Sequence, residues 1–212
     1  MLSPMLHDGG VGASFSPDGR VLLTLTDSGS MRLWDAATAQ PLTETIRRRL
    51  HAPEFSGDGR LIVSASFDGS AYIFDAQTGN VVTPPLRHTD AVWAARFSPD
   101  NRRVVTGSDD RTARIWDAYT GWPLTPPLKH RARVSSVAFS PDGQRIATGC
   151  GDGTARIWEF HKTDLPTEDL QLLAQLLSGR RLDANLGLTA LTPQELRNVW
   201  EILRDRHPKL FQ

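Results

Sequence analysis

The stretch DDRTARIWDAYTG at 109–121 decides the fold of this chain, because it joins an acidic turn, an alternating apolar run, a Trp-Asp pair and a Thr-Gly turn. A close copy, GDGTARIWEF, occupies 151–160, and a looser one, FDGSAYIFDAQTG, occupies 67–79. Such self-similarity is typical of repeat proteins, in which each repeat folds as a small unit and stacks on its neighbours.

Two landmarks set the period of the repeat. The first is a phenylalanine that precedes a Ser-x-Asp turn, and it occurs at Phe15, Phe55, Phe97 and Phe139. The second is an aromatic residue followed by an acidic one, at Trp34, Phe74, Trp116 and Trp158. Both series advance by 40, 42 and 42 positions, so we place four repeats at about 8–46, 47–87, 88–129 and 130–160.

Each repeat predicts four antiparallel strands. In the last repeat, VSSVAF is an apolar strand, SPDG is a turn with Pro at its second position, and QRIATGC resumes the strand pattern. An Asp-Gly turn then leads to the third strand, TARIW. In the third repeat, the stretch DAYTGWPLTPPL at 117–128 then turns at Thr-Gly and forms the fourth strand. We place this strand at the outer edge of the sheet because Pro126 and Pro127 cannot donate ladder hydrogen bonds.

At these positions the chain resembles the WD-repeat β-propeller family. The resemblance rests on the pairs Trp34-Asp35 and Trp116-Asp117 and on the variants Phe74-Asp75 and Trp158-Glu159, and it covers about residues 2–160. It implies an all-β fold of four WD-type four-stranded antiparallel blades, as a partial or open β-propeller. The segment 2–6 resembles the outer strand before later repeats, and we expect it to pair with 155–158.

The resemblance also implies a buried, hydrogen-bonded set of His, Ser or Thr, Asp and Trp within each blade. An indole N–H can donate to a hydroxyl, and an imidazole can bridge that hydroxyl to a carboxylate. We expect two complete structural tetrads, which consist of His88, Thr106, Asp110 and Trp116 in the third repeat and of His130, Thr148, Asp152 and Trp158 in the fourth.

The first two repeats carry incomplete sets, and we expect them to be less stable. The first has His7, Thr24 and Trp34, with Ser28 where Asp is expected. The second has Ser64 and Asp68, but a phenylalanine replaces its tryptophan and Ile46 stands where His is expected.

The sequence predicts that this protein is not an enzyme. His, Thr and Asp could form a nucleophilic triad, but the hydroxyl would lie in mid-strand, where no oxyanion hole could meet a substrate. No P-loop, H-E-x-x-H or calcium-loop motif occurs, and the six His and one Cys lack zinc-ligand spacing. We therefore expect no catalytic, cofactor-binding or metal site, and no cofactor.

Composition narrows the range of partners and locations. Lys and Arg total 24, as do Asp and Glu, so no overall positive field favours nucleic acid, and we do not expect it as a partner. The single Cys150 cannot form an internal disulfide. We read no export signal and no membrane span, and we expect a cytoplasmic protein without membrane contact.

The tail at 161–212 has a different pattern and predicts two short amphipathic helices. PTEDLQLLAQLLSG begins with acidic residues and ends at Gly179, and LTPQELRNVWEILRDRHP begins with Thr192, Pro193 and Glu195 in a capping-box arrangement. We expect the tail to dock on the propeller or to serve as a handle for another protein. It resembles the C-terminal segment of bacterial WD-repeat proteins, some of which carry a serine/threonine kinase domain upstream.

The function that we predict is a non-catalytic protein–protein interaction scaffold, with a protein or peptide partner of unknown identity. The alternative is the C-terminal regulatory or substrate-docking part of a larger bacterial kinase-like protein. Candidate partner contacts are large or basic residues at positions that vary between repeats: Trp122, Trp93, Arg47, Arg48, Arg49, Arg131 and Arg133. The two tryptophans could instead pack against neighbouring parts of the protein.

Ring closure stays open at this level. Propellers need roughly four to eight blades, and four repeats allow three arrangements. The chain could be an open crescent or a fragment of a longer protein, a small four-bladed ring, or half of a homodimer that completes a ring of eight blades.

Overall fold

The computed structural model describes residues 11–160, 166–182 and 188–208. The chain divides into two compact units, 1–161 and 162–212.

The first unit contains four antiparallel sheets in chain order, in which the strands follow one another from first to last across each sheet. The first two sheets contain β1 (Val11–Phe15), β2 (Val21–Thr26), β3 (Ser30–Asp35), β4 (Ile46–Arg47), β5 (Leu50–Phe55), β6 (Leu61–Ser66), β7 (Ser70–Asp75) and β8 (Leu86–Arg87). The other two contain β9 (Val92–Phe97), β10 (Arg103–Ser108), β11 (Thr112–Asp117), β12 (Leu128–Lys129), β13 (Val134–Phe139), β14 (Arg145–Cys150) and β15 (Ala155–Glu159).

The repeated turn residues explain why the strands reverse where they do. In the first sheet the Ser16 hydroxyl donates to the Asp18 carboxylate over 2.6 Å, and Gly19 adopts a φ of 71° that suits glycine. The acidic residue of each Trp-Asp pair makes a second type of turn: the Asp117 carboxylate accepts hydrogen bonds from the backbone and the hydroxyl of Thr120 over 2.8 and 2.9 Å. The repeated Asp residues therefore cap turns.

The fourth strand of each sheet is shorter than the sequence predicts. It contains two residues in each of the first three sheets, and a single isolated bridge joins the third strand to the chain just beyond the Thr-Gly turn, as between Trp116 and Pro123. In the second and third sheets two prolines follow that bridge and cannot donate to the ladder, so the pairing breaks there, whereas in the first sheet the bridge residue is itself Pro41. The predicted outer-edge position is confirmed by the strand order.

The fourth sheet contains three described strands, β13, β14 and β15. The segment 2–6, which we expected to pair with 155–158, lies outside the described residues, as does His7. Within the described part of this unit, β15 is therefore an edge strand, and four of its five side chains are exposed.

The hydrophobic core lies between successive sheets. Three clusters fill the spaces between the first and second, second and third, and third and fourth sheets. Each cluster joins an apolar residue of a third strand to the recurring phenylalanine of the next sheet: Leu33 with Phe55, Ile73 with Phe97, and Ile115 with Phe139. The first and fourth sheets do not pack extensively on each other over 11–160, so the stack is open there. The all-β fold class with four sheets and a two-helix tail is confirmed.

The second unit contains α1 (Thr167–Ser178) and α2 (Pro193–Arg206), joined through a small hairpin of β16 (Arg180–Leu182) and β17 (Leu188–Ala190) that the sequence did not predict. Gly179 ends α1 in the left-handed conformation, and Thr192 forms a capping box with Glu195. The buried carboxylate of Asp169 accepts from Arg206 at 2.5 Å and lies 2.9 Å from His207 Nε2. No helix among the described residues is long and apolar enough to cross a membrane.

Candidate functional site

The four predicted tetrad residues of the third repeat lie in one chain of hydrogen bonds. Trp116 Nε1 donates to Thr106 Oγ1 over 2.8 Å, and Thr106 Oγ1 lies 2.7 Å from His88 Nε2. His88 Nδ1 lies 2.9 Å from Asp110 Oδ2. The Thr112 hydroxyl and the Thr89 amide also donate to the Asp110 carboxylate and hold it in place.

Burial sets the protonation of this group. Loss of solvent around the imidazole lowers the pKa of His88 below its ordinary value, although the carboxylate of Asp110 acts in the opposite direction. Burial tends to raise the pKa of Asp110, but the hydrogen bond from Thr112 and the interactions with His88 outweigh it and lower that pKa. At neutral pH a neutral His88 donates from Nδ1 to the ionised Asp110 and accepts from Thr106 at Nε2, so both ring nitrogens of His88 and the Thr106 hydroxyl have partners.

This group does not have the geometry of an active site. His88, Thr106 and Trp116 are buried, and the Thr106 hydroxyl lies in mid-strand with its hydrogen donated to His88 and its oxygen occupied by Trp116. A nucleophile must reach a substrate carbonyl next to donors for the developing oxyanion. Over the described residues, no group of His, Cys, Asp and Glu could hold a metal ion.

The fourth repeat departs from the predicted tetrad. Trp158 Nε1 donates to Thr148 Oγ1 over 3.2 Å, but His130 Nδ1 lies 3.1 Å from Cys150 Sγ. Within the described part of the chain, His130 Nε2 has no hydrogen-bond partner, and the Asp152 side chain accepts hydrogen bonds only from the backbone and the hydroxyl of Thr154. The prediction of a complete set was wrong here. Asp152 lies in an exposed turn between two glycines, where water competes for its carboxylate, and a cysteine replaces the serine of the third repeat.

The first two repeats are built differently from the third. In the first, Trp34 Nε1 donates to Thr24 Oγ1 over 2.7 Å. In the second, the Tyr72 hydroxyl donates to Asp68 over 2.7 Å and so gives the carboxylate a partner that the sequence reasoning missed. The signal was a tyrosine where the other repeats have arginine, two positions before the phenylalanine that replaces tryptophan.

One end of the sheets carries a cluster of rings that no repeat contains by itself. We call His51, Phe67 and Trp93 the ring cluster. His51 and Phe67 stack with their centroids 4.1 Å apart, and the edge-on rings of Phe67 and Trp93 are separated by 5.3 Å. His51 and Trp93 occupy the same position on the first strands of neighbouring sheets, and His51 Nε2 lies 3.2 Å from the Trp93 carbonyl oxygen. Phe67 lies in the turn after β6 and is 39% exposed.

Arginines flank the ring cluster on both sides. The guanidinium of Arg133, from the loop before β13, lies 5.3 Å from the centre of the Trp93 ring. On the other side, Arg49, His51 and Phe67 help to line a cavity of about 600 Å³ between the first and second sheets. Burial lowers the pKa of His51, so the positive charge of this surface at neutral pH comes from the arginines.

The remaining predicted contact residues are spread over the unit. Trp122 follows the Thr-Gly turn at the opposite end of the third sheet from Trp93 and is 73% exposed, so it does not pack on a neighbouring sheet. Arg47, Arg48 and Arg131 are exposed, and the guanidinium of Arg48 lies 4.8 Å from the centre of the Tyr72 ring. The structure therefore brings Trp93, Arg133 and Arg49 near one surface and leaves Trp122 apart.

Comparison with known proteins agrees with this architecture. The chain is similar to the computationally designed Ika4 protein, with 25% sequence identity, a TM-score of 0.65, and coverage of 76% of this chain and 97% of that one. It is also similar to the computationally designed Ika8 protein, with 26% identity and a TM-score of 0.62 over 72% of this chain, and it spans 46% of that protein's length. A search of curated proteins returned no match.

A family model described as "WD domain, G-beta repeat" matches residues 5–35, 49–75, 81–117 and 124–159, which together make up more than half of the chain. These four matches coincide with the four sheets and with the repeated Trp-Asp positions. The chain belongs to the WD40 repeat family.

Proposed function

We propose that this protein is a non-catalytic interaction scaffold that binds a peptide segment of a partner protein across the ring cluster. WD40 repeats in general mediate protein–protein interactions, which supports the broad role. The observation that carries the specific proposal is the ring cluster itself, with Phe67 exposed above His51 and Trp93 and with arginines on both sides.

The surface chemistry defines the class of peptide. Aromatic residues and arginine are the residues that most often dominate binding at protein interfaces. Phe67 offers an apolar contact beside the cavity, and Arg49 and Arg133 can pair with carboxylates. We expect a segment with one aromatic or aliphatic side chain next to Asp or Glu. Trp122, at the other end of the sheet, would contact a different partner or a different part of the same one.

The other expectations about function stay separate proposals. A regulatory or docking role within a larger kinase-like protein would be tested by searching the upstream coding sequence for a Gly-rich loop and an H-R-D motif. Nucleic-acid binding would be tested by measuring whether RNA or DNA retains the protein in a salt-sensitive manner.

A cytoplasmic location would be checked by cell fractionation. A homodimer would involve the open ends of the stack and not the ring cluster.

A peptide library displayed on phage and selected on the immobilised chain tests the proposal. We expect enriched peptides that combine an apolar side chain with an acidic one, and we expect them to bind at least tenfold more weakly to Phe67→Ala and Arg133→Ala. Tyr119→Ala, which removes an exposed aromatic ring away from the cluster, is the matched control. Enriched peptides that bind both cluster variants as tightly as the unmodified chain would contradict the proposed site.

A further inference from the structure

The outer face of the fourth sheet exposes a side chain that the other sheets bury. Ile157 on β15 is 70% exposed, whereas its equivalents Leu33, Ile73 and Ile115 are buried by the sheet that follows each of them. With Ala138, Ala147 and Arg145, Ile157 lines a groove of about 270 Å³. The fourth sheet therefore exposes the third-strand side of a sheet–sheet contact, the side that the following sheet covers in the other three sheets.

The first sheet exposes the opposite side of such a contact, the first-strand side that the preceding sheet covers elsewhere in the unit. Phe15 at the end of β1 is 62% exposed, whereas Phe55 and Phe97 are buried against the sheet that precedes each of them. The turn after β1 is open as well, because a side-chain carbon added at Gly19 would meet nothing within 4 Å.

The junction between the third and fourth sheets shows how these halves fit together. The guanidinium of Arg103 lies 5.3 Å from the centre of the Phe139 ring, and its Nη2 donates to the Gly143 carbonyl over 2.9 Å. In the fourth sheet Arg145 occupies the position of Arg103, and in the first sheet Phe15 and Gly19 occupy the positions of Phe139 and Gly143. Arg145 is exposed and thus available for the same contact.

We propose that two copies of the chain join end to end, with the fourth sheet of each stacked on the first sheet of the other, to form a closed ring of eight sheets. Ile157 and Arg145 of one copy then contact Phe15 and the Gly19 carbonyl of the other, and a twofold axis generates the second, identical junction. Over 11–160 the chain's own first and fourth sheets do not pack extensively on each other, so neither of these two faces covers the other.

Light scattering coupled to size-exclusion chromatography tests the ring at micromolar protein concentration. We expect a species of twice the chain mass of 23.4 kDa. Ile157→Asp, Phe15→Asp and Arg145→Glu each alter both junctions of the ring and should shift the protein to the monomer, while Tyr119→Ser, exposed on an internal sheet, should leave the dimer intact. Far-ultraviolet circular dichroism would verify that the monomeric variants keep their β-structure.

Mixing two variants identifies which faces meet. Ile157→Asp and Phe15→Asp are each expected to be monomeric, but an equimolar mixture contains one pair of unaltered faces and should form a dimer through that single junction. A monomeric unmodified chain would overturn the proposal, as would an open polymer or a dimer that both variants retain. Each of these results leaves the ring-cluster proposal intact, because the peptide selection does not depend on the oligomeric state.

Discussion

Thr106 is the residue on which the hydrogen bonds of the third sheet converge. Its hydroxyl accepts from Trp116 and donates to His88 at full burial. A buried polar group left without a partner costs about 1–3 kcal/mol. We expect Thr106→Val, which preserves shape but removes the hydroxyl, to lower the free energy of unfolding by about 2–3 kcal/mol, as measured by urea denaturation.

Thr148 supplies the matched control for that substitution. It occupies the equivalent position in the fourth sheet, and its hydroxyl accepts a longer bond of 3.2 Å from Trp158, while His130 Nε2 has no hydrogen-bond partner within the described residues. We expect Thr148→Val to cost about 1 kcal/mol or less. Equal costs for the two substitutions would show that the hydrogen-bonded chain of the third repeat does not contribute as a unit.

His88 should make the stability of the repeat unit depend on pH. Its pKa in the folded chain is lowered by burial from the ordinary 6.5, so the unfolded chain binds a proton more readily than the folded one. The stabilisation is therefore complete above about pH 6.5 and is lost as the pH falls through the lower pKa of the folded state. Burial also lowers the pKa values of His51 and His130, which adds to the effect in the same direction.

Nuclear magnetic resonance titration of the His88 ring, combined with urea denaturation at about pH 8 and about pH 5.5, checks this dependence. We expect the free energy of unfolding to fall at the lower pH and the ring to titrate below its ordinary pKa. A ring that titrates above 6.5 would mean that the ion pair with Asp110 outweighs burial, and the stability would then change with pH in the opposite sense.

At the scale of the elements, close approach between strands of neighbouring sheets depends on Gly107. A side-chain carbon at this position on β10 would lie 2.8 Å from Val134 Cγ1 and 2.9 Å from the Val134 carbonyl oxygen. Both atoms belong to β13, so the third and fourth sheets would have to separate. We expect Gly107→Ala to lower the free energy of unfolding by about 1–3 kcal/mol, as measured by urea denaturation.

Gly149 is the equivalent position on β14 and serves as the control. A side-chain carbon there would meet only Ser136 Cβ, at an ordinary 3.5 Å. Gly149→Ala should therefore change the free energy of unfolding by less than about 0.5 kcal/mol. If both alanine variants proved equally mild, β10 would not pack as tightly on β13 of the next sheet as these contacts indicate.

The elements also show what the sequence could and could not predict. The four sheets and their turns followed from the repeated spacing, because such a spacing places equivalent residues in equivalent environments, and the third-repeat tetrad followed from the resemblance to the WD-repeat family. The contact of His130 with Cys150 and the hydrogen bond from Tyr72 to Asp68 each depend on one residue that differs from its equivalents in the other repeats. The hairpin of the tail lies outside the repeats altogether. The ring cluster was missed as a group because its members come from two sheets, whose mutual packing a one-sheet pattern does not encode.

At the scale of the whole repeat unit, stability should vary along the stack. In a linear array each repeat is stabilised by its own fold and by contacts with its nearest neighbours. The second and third sheets have a neighbour on each side, whereas the first and fourth each have one within 11–160. We therefore expect β6 and β10 to exchange their amide hydrogens more slowly than β2 and β14 whenever the chain is monomeric.

Dimerisation changes this gradient in a way that hydrogen exchange measured by mass spectrometry can detect. In the proposed ring the fourth sheet gains a neighbour, so β14 should approach the protection of β10, its equivalent on an internal sheet. Ile157→Asp removes that neighbour, and we expect exchange in β14 to accelerate while exchange in β10, which lies one sheet away from the substitution, changes little. Unchanged protection of β14 in the Ile157→Asp variant would show that the outer face of the fourth sheet is not covered by a second copy, whatever mass the unmodified chain has in solution.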